Sequence, residues 1–287
     1  MNNETCIELY KKRSIGERFS ATSDFISQNG KVLFKNLLYI GIPLALLQGF
    51  LMQNYTVEIM RMTASYLNPA ESMFTPSYLG LMFVSICFSL FVYVVTGAIL
   101  KKYQEGTLNK DTAWSDLKQD VFPFAGKLFL QGLICMLGFM IVSGILVAFV
   151  IGILFTNGVT GLVPLITMFI IFALMIIILP PFILIPFPIF FENASAWQGV
   201  KKGLKLGFKN WASTFLTFLL GVLIYSIVYY IVSMPYIIHF MLTNGAGGFT
   251  GYFLAIISAI SLLFLTPISL VFFGFQYTSL VEKTNLE

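Results

Sequence analysis

Four lysines fall within nine residues, Lys201, Lys202, Lys205 and Lys209, in the segment SAWQGVKKGLKLGFKNW from Ser195 to Trp211. An ammonium is a compact point charge that holds phosphate or carboxylate oxygens. In the same segment Trp197, Val200, Leu204 and Phe208 recur at helical spacing, one face of a helix, with Lys202, Lys205 and Lys209 on the other. A helix so divided lies flat at the lipid headgroups, each lysine contributing about 1 kcal/mol against an anionic leaflet. Three uses of the lysines stay open: determinants of topology, recognition of anionic lipid, and docking of a membrane or cytoplasmic protein partner.

Other chemistry is hard to assemble from these residues. The single histidine, His239, cannot build a histidine-based metal site and reads as an interfacial side chain beside Tyr236. Cys87 and Cys135 lie in apolar segments as small fillers, Cys6 is a lone thiol, and no CxxC occurs. No nucleophile elbow, phosphate loop or dinucleotide fingerprint is present, and GAGGF at Gly245–Phe249 reads as a turn. No catalytic residue, metal or cofactor is therefore assigned. The basic clusters sit among apolar segments without an aromatic base-stacking platform, which argues against nucleic acid as a partner.

The elements that must position the lysines follow from composition. Of 287 residues, 57% are hydrophobic and 10% charged, against about 25% charged in soluble domains. Mean hydropathy is +0.86. Both describe an integral membrane protein. Six segments are apolar over the roughly 20 residues that a span needs: about 32–52, 78–100, 128–155, 162–191, 215–242 and 252–281. No apolar run of signal-peptide type precedes Lys31, so the first span is expected to act as its own targeting signal. Residues 1–31 read as a cytoplasmic tail with an amphipathic helix, 32–283 as a six-helix transmembrane domain and 284–287 as a short tail. With both termini inside, 16 of the 17 basic residues face the cytoplasm and only Arg61 does not. The segment 53–77 reads as an outer loop holding a short surface helix.

An internal repeat refines this layout. Shifting by 83 residues brings TAWSDLKQDVFPFAGKLF onto SAWQGVKKGLKLGFKNWA, so that Trp114 meets Trp197, Lys118 meets Lys201 and Val121 meets Leu204. Thr112 and Ser195 sit where helix caps belong, and Gln198 completes a capping box with Ser195. Phe19, Thr22 and Ile26 repeat the spacing more faintly. Asn29-Gly30, Pro123 and Gly207 stand as breakers before the following spans. The expected fold is all-α, with six transmembrane helices in three hairpins, each hairpin preceded by an amphipathic in-plane helix. Pro180, Pro181, Pro186 and Pro188 are expected to unwind the end of the fourth span, because proline removes a helical hydrogen bond and clashes with the preceding turn. Trp114, Lys118, Trp197 and the four lysines are the candidate headgroup or partner contacts. Hydroxyls and amides within the spans, among them Gln131, Thr217, Ser258 and Gln276, read as inter-helix hydrogen-bonding groups.

The pattern Glu192, Ala196, Lys201, Lys205, Leu206, Trp211 resembles one in bacterial six-helix membrane proteins. These include the membrane domain attached to some glycerophosphodiester phosphodiesterases and related uncharacterised proteins. The likeness covers about 187–235 and implies a bacterial inner-membrane location and a link to lipids. The phosphodiesterase activity of that group belongs to a soluble domain for which this sequence has no counterpart. The expected function is accordingly non-enzymatic: lipid interaction or scaffolding through cationic helices. The alternative is a transporter or flippase for an uncharged or lipidic substrate, using the proline-kinked spans.

Overall fold

A computed structural model describes residues 7–64, 75–156, 163–243 and 248–286. Among the described residues are eight helices and no strand: α1 Ile15–Ala64, α2 Pro76–Gln104, α3 Trp114–Thr156, α4 Val163–Phe182, α5 Phe187–Glu192, α6 Ala196–Lys209, α7 Trp211–Thr243 and α8 Gly248–Leu286. Five of them, α1, α2, α3, α7 and α8, are long and apolar enough to cross a membrane. The link between the third and fourth expected spans, 156–161, lies mostly outside the described residues, as do 65–74 of the expected outer loop and most of the turn expected at Gly245–Phe249.

The first helix departs from expectation. It begins at a local signal, where the backbone N–H of Ser14 donates to the Glu17 carboxylate at 2.6 Å and Glu17 N–H donates to Ser14 Oγ at 3.4 Å. It then runs unbroken for 50 residues, about 75 Å at 1.5 Å per residue. Asn29-Gly30 does not break it, so no separate in-plane helix precedes the first span, and the helix crosses the expected boundary at residue 31. The cause is α8, which runs antiparallel beside α1. Phe19 stacks on Phe272 with centroids 4.3 Å apart, Phe25 meets Phe275 edge-on at 6.3 Å, Phe34 lies 5.1 Å from Phe264 and Phe50 stacks on Tyr252 at 5.3 Å. A helical glycine costs about 1 kcal/mol, and aromatic pairs of about 0.5–1.5 kcal/mol each outweigh it. The far end of α1 likewise extends to Ala64, absorbing the first part of the expected outer-surface helix.

The core lies where α1, α2 and α8 meet, with Leu33, Leu37, Val92, Val95, Leu263 and Val271 all buried. By contrast α3 and α7 present apolar side chains outward, such as Phe149, Met140, Leu223 and Ile231. Exposed apolar surface on this scale suits lipid rather than water.

One end of the bundle gathers the starts of α1, α3 and α7 and the ends of α2 and α8. Arg13 N–H donates to Ser279 Oγ at 2.9 Å, Ile7 N–H to the Tyr103 hydroxyl at 2.7 Å, and Lys101 Nζ to Asp120 Oδ1 at 2.6 Å. This is the basic end. At the opposite end the Tyr252 hydroxyl donates to Asn54 Oδ1 at 2.5 Å and Ser77 Oγ to Glu58 Oε1 at 2.7 Å.

The proline-rich stretch divides the expected fourth span. After Pro180 and Pro181, α4 ends at Phe182, and Leu184 and Ile185 N–H turn back onto the carbonyls of Pro181 and Phe182 at 3.2 Å each. Pro186 caps α5 and Pro188 stands in its first turn. All of Phe187–Phe191 is buried, and the Phe190 ring rests on α2 at Gly97, where any side chain would collide with it. Asn193 ends α5 in the left-handed region, φ 52°.

Candidate functional site

The cationic helix α6 is the one in-plane candidate that stands as a helix of its own. Its start is set locally. Ser195 N–H donates to Gln198 Oε1 at 3.1 Å, and Gln198 N–H donates to Ser195 Oγ at 3.4 Å, the capping box expected there. It passes through Gly207 and ends at Lys209; the break to α7 falls at Asn210, which is buried and holds the Leu206 carbonyl through Nδ2 at 3.3 Å.

Three glycines seat the helix. Gly199, Gly203 and Gly207 form one stripe, with Ala196 and Leu206 beside it, all buried. A Cβ at Gly203 would lie 2.6 Å from the Ile185 Cα, and one at Gly207 2.7 Å from the Pro181 Cα. The backbone of α6 therefore rests directly on the turn between α4 and α5, as small residues permit where helices approach closely. Gln131 of α3 braces the same turn, its Nε2 donating to Ile185 O at 3.0 Å. Lys127 Nζ donates to Asn193 Oδ1 at 2.6 Å and to its carbonyl at 3.2 Å. Trp211 closes the other side, its ring N–H donating to the Ile177 carbonyl at 2.9 Å. The expected apolar face is thus only partly the buried one. Val200 is buried, Leu204 half-buried, and Trp197 and Phe208 stand exposed. The glycine stripe was the missed signal; its spacing of four residues is plain in the sequence.

With the glycines inward, Lys201, Lys202, Lys205 and Lys209 are all exposed, and all four line one surface cavity of about 600 Å³. Glu192, Gln198 and Thr284 also line it. Lys202 pairs with Glu192 Oε2, while Glu192 Oε1 accepts from the Tyr277 hydroxyl at 2.6 Å. Glu192 therefore joins the cationic surface to the buried aromatic stack of Phe187, Phe191 and Tyr277. Burial, and after it the Glu192 carboxylate, hold the nearby Tyr10 phenol above its ordinary pKa. Such a cavity favours an anion by charge. Among the described residues no group of three or more His, Cys, Asp or Glu side chains gathers to hold a metal.

The other sequence candidates lie apart. Lys118 is exposed on α3 and Trp114 is half-buried, 6.0 Å from Phe91; neither lines the cavity. Trp197 is also outside its lining. Thr112 does not cap α3. Its hydroxyl accepts from Asn109 N–H at 3.0 Å and donates to Asn109 Oδ1 at 3.1 Å, while Asp116 takes the Ala113 N–H at 2.9 Å. Nor does Pro123 interrupt α3, which runs through it. Arg13 and Arg18, read from sequence as tail charges, turn inward and are buried.

Compared with models of protein families, with curated proteins and with solved structures, the chain gives no match to any of them.

Proposed function

We infer that the chain is a non-enzymatic, multi-pass protein of the cell inner membrane that holds anionic lipid, or a partner protein, against α6. The observation that carries this reading is the convergence of Lys201, Lys202, Lys205 and Lys209 on one exposed cavity with a single glutamate among its lining residues. Lys202 pairs with Glu192, and the seat of α6 holds the four lysines in place. Five long apolar helices support the membrane setting, and α4, an apolar helix of 20 residues, is read as the sixth crossing of this proposal. The concentration of basic residues at one end supports placing that end, with both termini, in the cytoplasm. The resemblance around Glu192–Trp211 supports a bacterial inner membrane. The transporter reading draws less support, because Thr217, Ser233 and Ser258 are buried and line neither the groove beside Tyr93 and Gln131 nor the one beside Thr22 and Tyr225.

The test is lipid selectivity of the purified protein. Replacing all four lysines with Gln is expected to weaken association with anionic lipid by up to about 4 kcal/mol, less whatever salt screens. Unchanged selectivity with disturbed orientation would reduce the lysines to topology signals. Orientation is read separately in intact cells with the native cysteines replaced: a cysteine at Asn157 is expected to react with an impermeant thiol reagent from outside and one at Asn109 is not.

A further inference from the structure

Arg18 is a second cationic site, and it is internal. Its residue is 5% exposed. Nη1 donates to Thr217 Oγ1 at 2.9 Å and Nη2 to the Arg13 carbonyl at 2.8 Å, both neutral acceptors. Among the described residues no carboxylate pairs with it. The neighbouring acid, Glu17, is turned away to the Ser14 N–H. Arg13, just before α1, adds a second buried guanidinium, satisfied by the carbonyls of Leu9, Lys11 and Glu8 and lying 5.1 Å from the Phe275 ring centroid.

Among the described residues, two donors at this point have no partner. Arg18 Nε and Gln276 Nε2 are both buried and unbonded. Thr217 links the two side chains, since its hydroxyl accepts from Arg18 and lies 3.2 Å from Gln276 Oε1. A buried guanidinium held only by neutral acceptors, with Glu17 acting on it from a distance, keeps much of its desolvation cost, and orphaned buried donors are rare enough to call for a ligand. Both donors ask for the same thing, an anionic oxygen.

An apolar groove lies one helical turn away, and Arg18, Thr217 and Gln276 are not among its lining residues. The groove, of about 580 Å³ between α1, α7 and α8, is lined by Thr22, Gly221 and Phe272, with apolar side chains such as Ile26, Ile224 and Leu265. Thr22, Gly221 and Phe272 each stand one helical turn from Arg18, Thr217 and Gln276 respectively, on the side away from the basic end. The volume is within the roughly 300–1,000 Å³ of ligand-holding pockets. Phe19 and Phe272, stacked at 4.3 Å, also line the groove beside the polar cluster, so an entering headgroup meets these two rings first and one of them has to turn aside.

We propose that Arg18 and Gln276, bridged by Thr217, bind the phosphate of one anionic phospholipid whose acyl chain lies in the groove between α1, α7 and α8. The charge of the guanidinium selects an anion, and the apolar groove selects one that carries a chain. This site needs only that the chain crosses a bilayer; it does not depend on the α6 lysines.

The test uses the full chain in detergent, with bound lipid counted by mass spectrometry of the folded protein. In the variant with Gln at 201, 202, 205 and 209, which removes the α6 lysines from the readout, one phosphatidylglycerol is expected to bind per chain, at least tenfold tighter than diacylglycerol, which lacks the phosphate, and the Arg18 and Ser269 changes are made in that background. Arg18→Gln is expected to abolish that preference. Arg18→Lys keeps a charge without the Nε donor, covers the case in which the first variant does not fold, and is expected to reduce the preference severalfold. Ser269→Phe, which fills the groove, is expected to weaken phosphatidylglycerol binding similarly. The variant with Gln at 201, 202, 205 and 209 is expected to keep the single tight lipid, so its loss there would assign the lipid to α6 instead and overturn the proposal. Equal binding of the two lipids, or an undiminished preference in a folded Arg18 variant, would also overturn it. Inorganic phosphate that displaces the lipid fully and binds as well when the groove is filled would overturn the lipid as the source of the anion.

Discussion

Trp114 and Trp197 hold equivalent places in two segments that match at an offset of 83 residues, yet one opens a helix of 43 residues and the other lies in a helix of 14. The difference lies at three positions. Gly199, Gly203 and Gly207 of α6 correspond to Asp116, Asp120 and Phe124 of α3. Glycines let α6 settle backbone to backbone on the turn between α4 and α5. The bulkier trio does other work. Asp116 receives the Ala113 N–H, Asp120 pairs with Lys101, and Phe124 packs edge-on against Phe190 at 5.4 Å. Two segments with one hydrophobic pattern are thus separated by what their opposite faces can approach. A helix seated on backbone must follow its seat, whereas one held by side chains is free to continue into its span.

The sharpest way to break this comparison is to exchange those positions. Gly203→Val places a branched side chain against the Ile185 backbone and is expected to cost about 3 kcal/mol or to prevent folding, measured by thermal unfolding in detergent. Asp120→Val at the matched position removes a partly exposed ion pair and is expected to cost about 1 kcal/mol. Equal losses would show that the glycine stripe does not distinguish the two segments.

A smaller effect sharpens how each helix starts. Ser195→Ala removes half of the capping box and is expected to cost about 1 kcal/mol, with faster amide exchange at residues 197–200. Thr112→Ala is expected to loosen the turn at Asn109 while leaving exchange at residues 115–118 unchanged. Faster exchange there would restore Thr112 as a cap.

The smallest effect concerns continuity. Pro123 is exposed within α3 and removes one helical N–H. Pro123→Ala is expected to raise stability by about 0.5–1 kcal/mol, since the restored N–H finds the Gln119 carbonyl in a helix already formed. A loss of stability would mean that the bundle depends on a bend at this proline.

Much of the fold was legible because it rests on signals that act within a turn or two. The apolar runs specify long helices, since any other backbone inside a bilayer leaves polar groups unpaired. Pro180 and Pro181 end α4 within two residues, as the missing N–H groups require. Ser195 and Gln198 form their capping box because both partners lie on one turn. The four lysines converge because helical spacing brings them to one side.

What the tertiary structure decided were the cases where a local preference of about 1 kcal/mol meets a neighbour. Gly30 stays helical because α1 lies along α8, and Gly207 stays helical because its missing side chain admits the Pro181 backbone. Asn210, no stronger a breaker by type, is where the chain turns, held by the Leu206 carbonyl and by Lys283 of α8 at 3.2 Å. Arg18 carries the same charge as the tail lysines, and its sequence neighbours do not distinguish it. Only the packing of α7 and α8 against α1 turns it inward onto Thr217 beside Gln276. Periodicity specifies which residues share a face, but which face meets a partner depends on contacts between residues 199 positions apart, and those exist only once the helices have assembled.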